Sequence, residues 1–185
     1  MSNALNKRRI EAEADLLVSF VNTRDLETGD DALADPERLS RWVADRSGEF
    51  VPVPDADSQA RLLALRESLR ALVLSNNGGA VGEEELEPLR EAAERSRYRT
   101  SISTEGEVAL VPARADLSGF EARLLLALER VQSQGAGARL KACVNPACHW
   151  AFYDNTRNRS RTWCSMEECG NREKTRRYRE RRRSR

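Results

Sequence analysis

Cys143-Val-Asn-Pro-Ala-Cys148 and Cys164-Ser-Met-Glu-Glu-Cys169-Gly-Asn-Arg172 contain all four cysteines of the 185-residue chain. The two pairs share one spacing, and 15 residues separate Cys148 from Cys164. Two short Cys hairpins joined by a loop can converge four thiolates on one tetrahedral Zn²⁺, the usual geometry of a structural site. A pair of disulfides is the rival use of four cysteines, and it needs an oxidising compartment. The N-terminus gives no support for export, because Glu11, Glu13 and Asp15 break up any apolar stretch before Leu16. No segment approaches the roughly 18 apolar residues of a membrane span. The expectation is a cytoplasmic protein with no membrane partner and one structural Zn²⁺ on Cys143, Cys148, Cys164 and Cys169.

The residues around these ligands have a readable order. Pro146 places a tight turn between the first two cysteines. His149-Trp150-Ala151-Phe152-Tyr153 alternates as a strand does, Asp154 to Asn158 is turn-forming, and Arg161-Thr162-Trp163 returns toward the second pair. Ser165 with Glu168 three positions on is a capping box, so a helix starts just after Cys164 and takes Cys169 into its first turns. Knuckle, hairpin and ligand-bearing helix in that order describe a treble-clef-like zinc finger. His149 neighbours a ligand, but four thiolates already fill the tetrahedron.

The helix after Cys169 is strongly basic. At about 100° per residue, Arg172, Arg176, Arg179 and Arg183 fall in one narrow sector, a stripe able to track phosphates or enter a major groove. Lys174 lies elsewhere on the cylinder, and Arg157, Arg159 and Arg161 alternate in the preceding hairpin, where they extend the positive surface. The overall charge of +1 hides this division. Residues 1–138 carry 17 Lys and Arg against 25 Asp and Glu, a net −8, whereas residues 139–185 carry 14 against 5, a net +9. A basic module on an acidic body points to a polyanionic partner.

The body reads as mostly helical. Leu16–Val21 is an apolar run that opens either a core helix or a strand. Asp35-Pro36 starts a helix that buries Leu39, Trp42 and Val43 and ends near Gly48. Asp57 or Ser58 begins the clearest helix, with Leu62, Leu65, Leu69, Leu72 and Val73 as its stripe and Asn76-Asn77-Gly78-Gly79 as its stop. A shorter helix covers Glu83–Ser96, a two-stranded hairpin spans Tyr98–Ala113, and Asp116 or Ser118 caps a last helix. Gln134-Gly135-Ala136-Gly137 reads as a hinge. The fold class is therefore α+β: a helix-dominated N-terminal domain with a small β-hairpin, residues 1–138, then the finger with its basic C-terminal helix, residues 139–185.

The single His lies inside the Cys module and no Gly-rich phosphate loop occurs, so an enzyme is not expected. Asn22-Thr23-Arg24 closes the first apolar run. Held rigidly, an acceptor, a hydroxyl and a guanidinium could bind an anion or a carbonyl group, although the same residues suit a helix end.

Cys169-Gly170-Asn171-Arg172 spells the signature of the CGNR zinc-finger family. Phe152-Tyr153-Asp154, Trp163-Cys164-Ser165-Met166 and Tyr178-Arg179 resemble that family too. Phe20 to Arg24, with Trp42, is similar to the ABATE domain that precedes this finger. The resemblance covers nearly the whole chain. It implies a bacterial, stress-induced transcriptional regulator with zinc on the four cysteines and DNA on the finger. The expected function is a DNA-binding regulator whose N-terminal domain senses a signal or forms a homodimer. RNA and a protein partner are the rival ligands of the basic module.

Overall fold

The computed structural model describes residues 3–183, apart from the side chains of residues 3, 4, 177 and 183. Six α-helices and two antiparallel hairpins follow one another among these residues. Helix α1 spans Asn3–Val21, α2 Pro36–Ser47, α3 Ala56–Ser75 and α4 Glu83–Arg95. Strands β1 (Tyr98–Ile102) and β2 (Val108–Pro112) precede α5 (Leu117–Ser133). Strands β3 (Leu140–Ala142) and β4 (Ala151–Tyr153) and helix α6 (Asn171–Arg183) complete the chain. No helix among the described residues is long and apolar enough to cross a membrane.

The run Leu16–Val21 closes a helix rather than opening an element. Ala14, Leu17, Phe20 and Val21 are all buried, at the spacing of one helical face. The charged stretch before them is helical as well, because Glu13 is buried and ion-paired to Arg123 at 2.5 Å and Arg130 at 2.8 Å on α5. Phe20, Trp42 and Phe120 form a cluster with ring centroids 5.8–6.0 Å apart, two of the three pairs edge-to-face. This places α1, α2 and α5 around one centre.

The caps follow the sequence closely, with one shift. The Asp35 carboxylate accepts from the Arg38 amide at 2.8 Å, and Gly48 ends α2 with φ +72°. Helix α3 is capped by Asp55, not begun by Asp57 or Ser58, since the Asp55 carboxylate accepts from the Ser58 amide at 2.7 Å. Asp116 caps α5 by accepting from the Gly119 amide, while Ser118 only donates to that carboxylate.

The finger is built into the body. Strand β4 pairs with β3, upstream of the first cysteine, in the register Leu140↔Tyr153 and Ala142↔Ala151. The expected return strand Arg161–Trp163 forms no strand. Leu140, Ala142 and Ala151 share the core that α1, α3 and α5 enclose. The expected hinge is instead a packed turn: Ala136 is buried and its amide bonds to the Val131 carbonyl at 3.0 Å.

A seam of polar side chains fixes this packing. The Asn22 amide group bonds Ala151 in both directions, at 2.9 and 2.7 Å. Asn76 donates to the Gly137 and Leu140 carbonyls, and Asn77 to those of Ala142 and Thr162. Two buried arginines on α3 continue it. Arg66, 1 % exposed, grips Asp31 with two bonds of 2.7 Å and reaches Thr23 at 3.1 Å. Burial would raise the Asp31 carboxyl, but the guanidinium outweighs it and holds the group below its ordinary value. Replacing Asp31 with Ala leaves the buried guanidinium only Glu67 among the described residues, at 2.9 Å, as an ion-pair partner and should cost about 3 kcal/mol in urea unfolding, whereas Asp31→Leu with Arg66→Met should cost less than either change alone.

Candidate metal centre and nucleic-acid interface

Three pieces of backbone assemble the metal centre. Cys143 follows β3, Cys148 closes the knuckle before β4, Cys164 ends the loop after β4, and Cys169 lies in a wide π-helical turn, Met166–Gly170. The knuckle is tight because the Asn145 carbonyl accepts from the amides of both Cys148 and His149, at 2.9 and 3.1 Å. The turn is capped by Ser165, whose hydroxyl accepts from the Glu168 amide.

All four sulfurs lie within 4.8 Å of one another and none is in a disulfide. Cys148 and Cys164 are 3.6 Å apart, Cys164 and Cys169 3.7 Å. A zinc tetrahedron with Zn–S bonds of about 2.3 Å has edges of about 3.8 Å, so the tetrad fits the ion. The chemistry of the donors agrees. Burial, then the neighbouring sulfurs, pushes the Cys148 thiol up to about 11 and raises Cys164 as well. At Cys169 burial is outweighed by the Asn145 amide, which donates to its sulfur at 3.5 Å, and the thiol is lowered. Four sulfurs this close are stable together as thiolates around a cation. The cluster therefore suits one structural zinc. His149 is outside it, with φ +46° and its carbonyl held by Arg70 at 3.1 Å.

The residues after Cys169 have separate physical roles. Gly170 leaves room for Met166, whose sulfur would sit 2.7 Å from an added Cβ. The Asn171 side chain donates to the Glu167 carbonyl at 3.0 Å and closes the wide turn. Arg172 reaches back to the body and pairs with Glu27 at 2.5 Å.

The basic residues divide into outward and inward sets. Arg172, Arg176 and Arg179 lie on one exposed face of α6, Lys174 is exposed elsewhere on it, and Arg157 and Arg159 are exposed in the loop after β4. The side chain of Arg183 lies outside the described residues. Arg161 does not join the positive surface. It is half-buried, stacks over the Phe152 ring at 4.5 Å, and donates to the Trp163 and Cys164 carbonyls. Arg176 is clamped between Glu173 at 2.8 Å and Glu180 at 2.6 Å. These i−3 and i+4 carboxylates were visible in the sequence as spacings, and Glu27 was not.

Asn22, Thr23 and Arg24, the candidate ligand residues of the body, all have partners within the protein, and Asn22 also lines an open cleft beside Trp150 and Phe152. Asn22 is spent on Ala151, and the Thr23 hydroxyl donates to the Phe20 carbonyl at 2.7 Å and accepts from Arg66. Arg24 pairs with Glu67 at 3.7 Å. The polar triplet is a joint between α1, α3 and the finger.

Metal analysis of the purified chain should give one zinc per molecule, and Cys164→Ser should lose it. Because β3 and β4 belong to the body's core, chelation should lower the melting temperature of the entire chain. An unchanged melting curve after complete zinc removal would contradict the structural role.

Residues 139–182 match the CGNR zinc finger. Residues 14–136 match the ABATE family, described as "Putative stress-induced transcription regulator". No curated protein matches the chain. The second match spans most of the body and the first contains all four cysteines, so the chain belongs to the ABATE family and carries a CGNR zinc finger after its ABATE domain.

Proposed function

We propose that the protein is a zinc-dependent, cytoplasmic DNA-binding regulator of transcription that acts by binding and not by catalysis. The observation that carries this reading is the exposed face of Arg172, Arg176 and Arg179 on a helix that leaves the metal turn directly. Zinc fixes Cys169, and Cys169 fixes where the helix begins, so the metal orients the arginines without touching the nucleic acid. Exposed guanidiniums at this spacing suit phosphates along one strand or base edges in a major groove. Duplex DNA is favoured over RNA because the arginines follow one face of a helix, the shape a major groove admits; Tyr153 packs on the core, and the exposed rings of Trp150 and Tyr178 are where a single strand would stack instead.

Neutralising phosphates makes binding fall with salt, by about 0.9 in the logarithmic slope per contact. Arg172→Ala, Arg176→Ala and Arg179→Ala together should flatten the slope by up to about 2.7 for duplex DNA. Equal slopes for the triple variant and the parent would exclude this face, and tighter binding of a single-stranded RNA pool would exclude the choice of DNA. Glu27 competes for Arg172 inside the protein, so Glu27→Gln should strengthen binding by less than about fivefold, the scale of an exposed ion pair.

A further inference from the structure

Well inside the ABATE domain, a cleft of about 270 Å³ opens between the end of α2, the inner face of the β1–β2 hairpin and the start of α5. No finger residue lines it. Its wall carries Arg46, Arg99, Arg114 and Arg123 against the carboxylates of Glu49 and Asp116, a net +2. The surrounding domain, residues 1–138, has a net −8. Cations are therefore gathered here against the charge of the domain, where their mutual repulsion opposes folding.

Three of the four guanidiniums are held in place by neighbouring groups, Arg46 and Arg123 from outside the cleft and Arg114 by a carboxylate of its wall. Arg46 donates to the Ser19 hydroxyl at 2.9 Å and lies over the Trp42 ring at 5.1 Å. Arg114 is paired to Asp116 at 2.6 Å, and Arg123 to buried Glu13 at 2.5 Å. Arg99 has no ion-pair partner among the described residues, and the hairpin register sets it beside Val111, which also lines the cleft. Val111 and buried Phe120 give the cleft apolar surface. A planar guanidinium fork offers paired donors to a carboxylate or phosphate, and its pre-orientation by neighbours reduces the ordering cost of binding.

From this arrangement we infer that the cleft binds a small organic anion, an oxyanion group attached to a compact apolar body. Arg99 and Arg114 hold the oxyanion and Phe120 and Val111 receive the apolar part. The site is separate from the zinc centre and from helix α6, and it stands whether or not α6 binds DNA.

Phenyl phosphate, benzoate and inorganic phosphate are the probes, titrated calorimetrically into the full zinc-loaded chain. Phenyl phosphate should bind more tightly than inorganic phosphate, because its ring reaches the apolar wall. Arg99→Gln should weaken phenyl phosphate about tenfold, the scale of one charge-assisted bond, while the ligand-free melting temperature stays as in the parent. Arg114→Gln should weaken it as well. The triple alanine variant of Arg172, Arg176 and Arg179 should bind the probe as the parent does. Failure of all three probes at about 10 mM, weaker than any useful affinity, would overturn the inference. So would tighter binding of inorganic phosphate than of phenyl phosphate. Binding lost in the triple variant but kept in Arg99→Gln would place the anion on α6 and equally overturn it.

Discussion

The guanidinium of Arg70 is the point through which the two halves of the molecule are joined. It is 4 % exposed, and its nitrogens bond the Val21 carbonyl at 2.6 Å, the Arg24 carbonyl at 3.1 Å and the His149 carbonyl at 3.1 Å, while Glu67 balances its charge. The last carbonyls of a helix have no partner within it, and a cation there is favoured by the helix dipole. One side chain from α3 thus ends α1, holds the turn after it and fixes the metal knuckle at a residue with φ +46°. A lysine could supply the charge but not three directed bonds on opposite edges of one plane.

Around this joint the polar interior is largely self-consistent. Lys141 and Asp154, both buried, pair at 3.0 Å behind the finger's hairpin, and the lysine also bonds the carbonyls of Arg159 and Arg161. Burial opposes ionisation of Asp154, yet donors from Thr156 and Lys141 hold it well below the ordinary carboxylate range. This carboxylate and ammonium, with Arg139 on the Thr156 carbonyl and Asn77 on that of Thr162, hold the loop between β4 and the second cysteine pair, which explains how a stretch with no regular structure delivers Cys164 to the tetrad.

Local chemistry in the sequence was enough for most of the caps, the β1–β2 hairpin and the metal ligands, because each depends on residues a few positions apart. Asp35-Pro36 with Gly48, and the two Cys-x₄-Cys pairs, state their own geometry. The joints were hidden because their partners are distant. Asn22 and Ala151 are 129 residues apart, so no local pattern shows that Asn22 bonds the finger. Arg66 and Arg70 share the buried side of α3 with Leu62, Leu69 and Val73, but a charged residue in an apolar stripe is read by default as facing water. Strand β3 has three residues, too few for an alternating pattern to register, so β4 was assigned the wrong neighbour.

The shared core also sets a constraint on biosynthesis. Ribosomes deliver the N-terminal part first, so α1, α3 and α5 are complete before the knuckle exists. Until Leu140 and Ala151 arrive, the apolar groove of Leu17, Val21, Leu69, Val73 and Leu128 has nothing to cover it. A nascent or prematurely terminated chain would present that groove as a sticky surface to chaperones and to other chains. Metal supply then bears on proteostasis, since the segment that seals the groove is the one whose fold the ion completes.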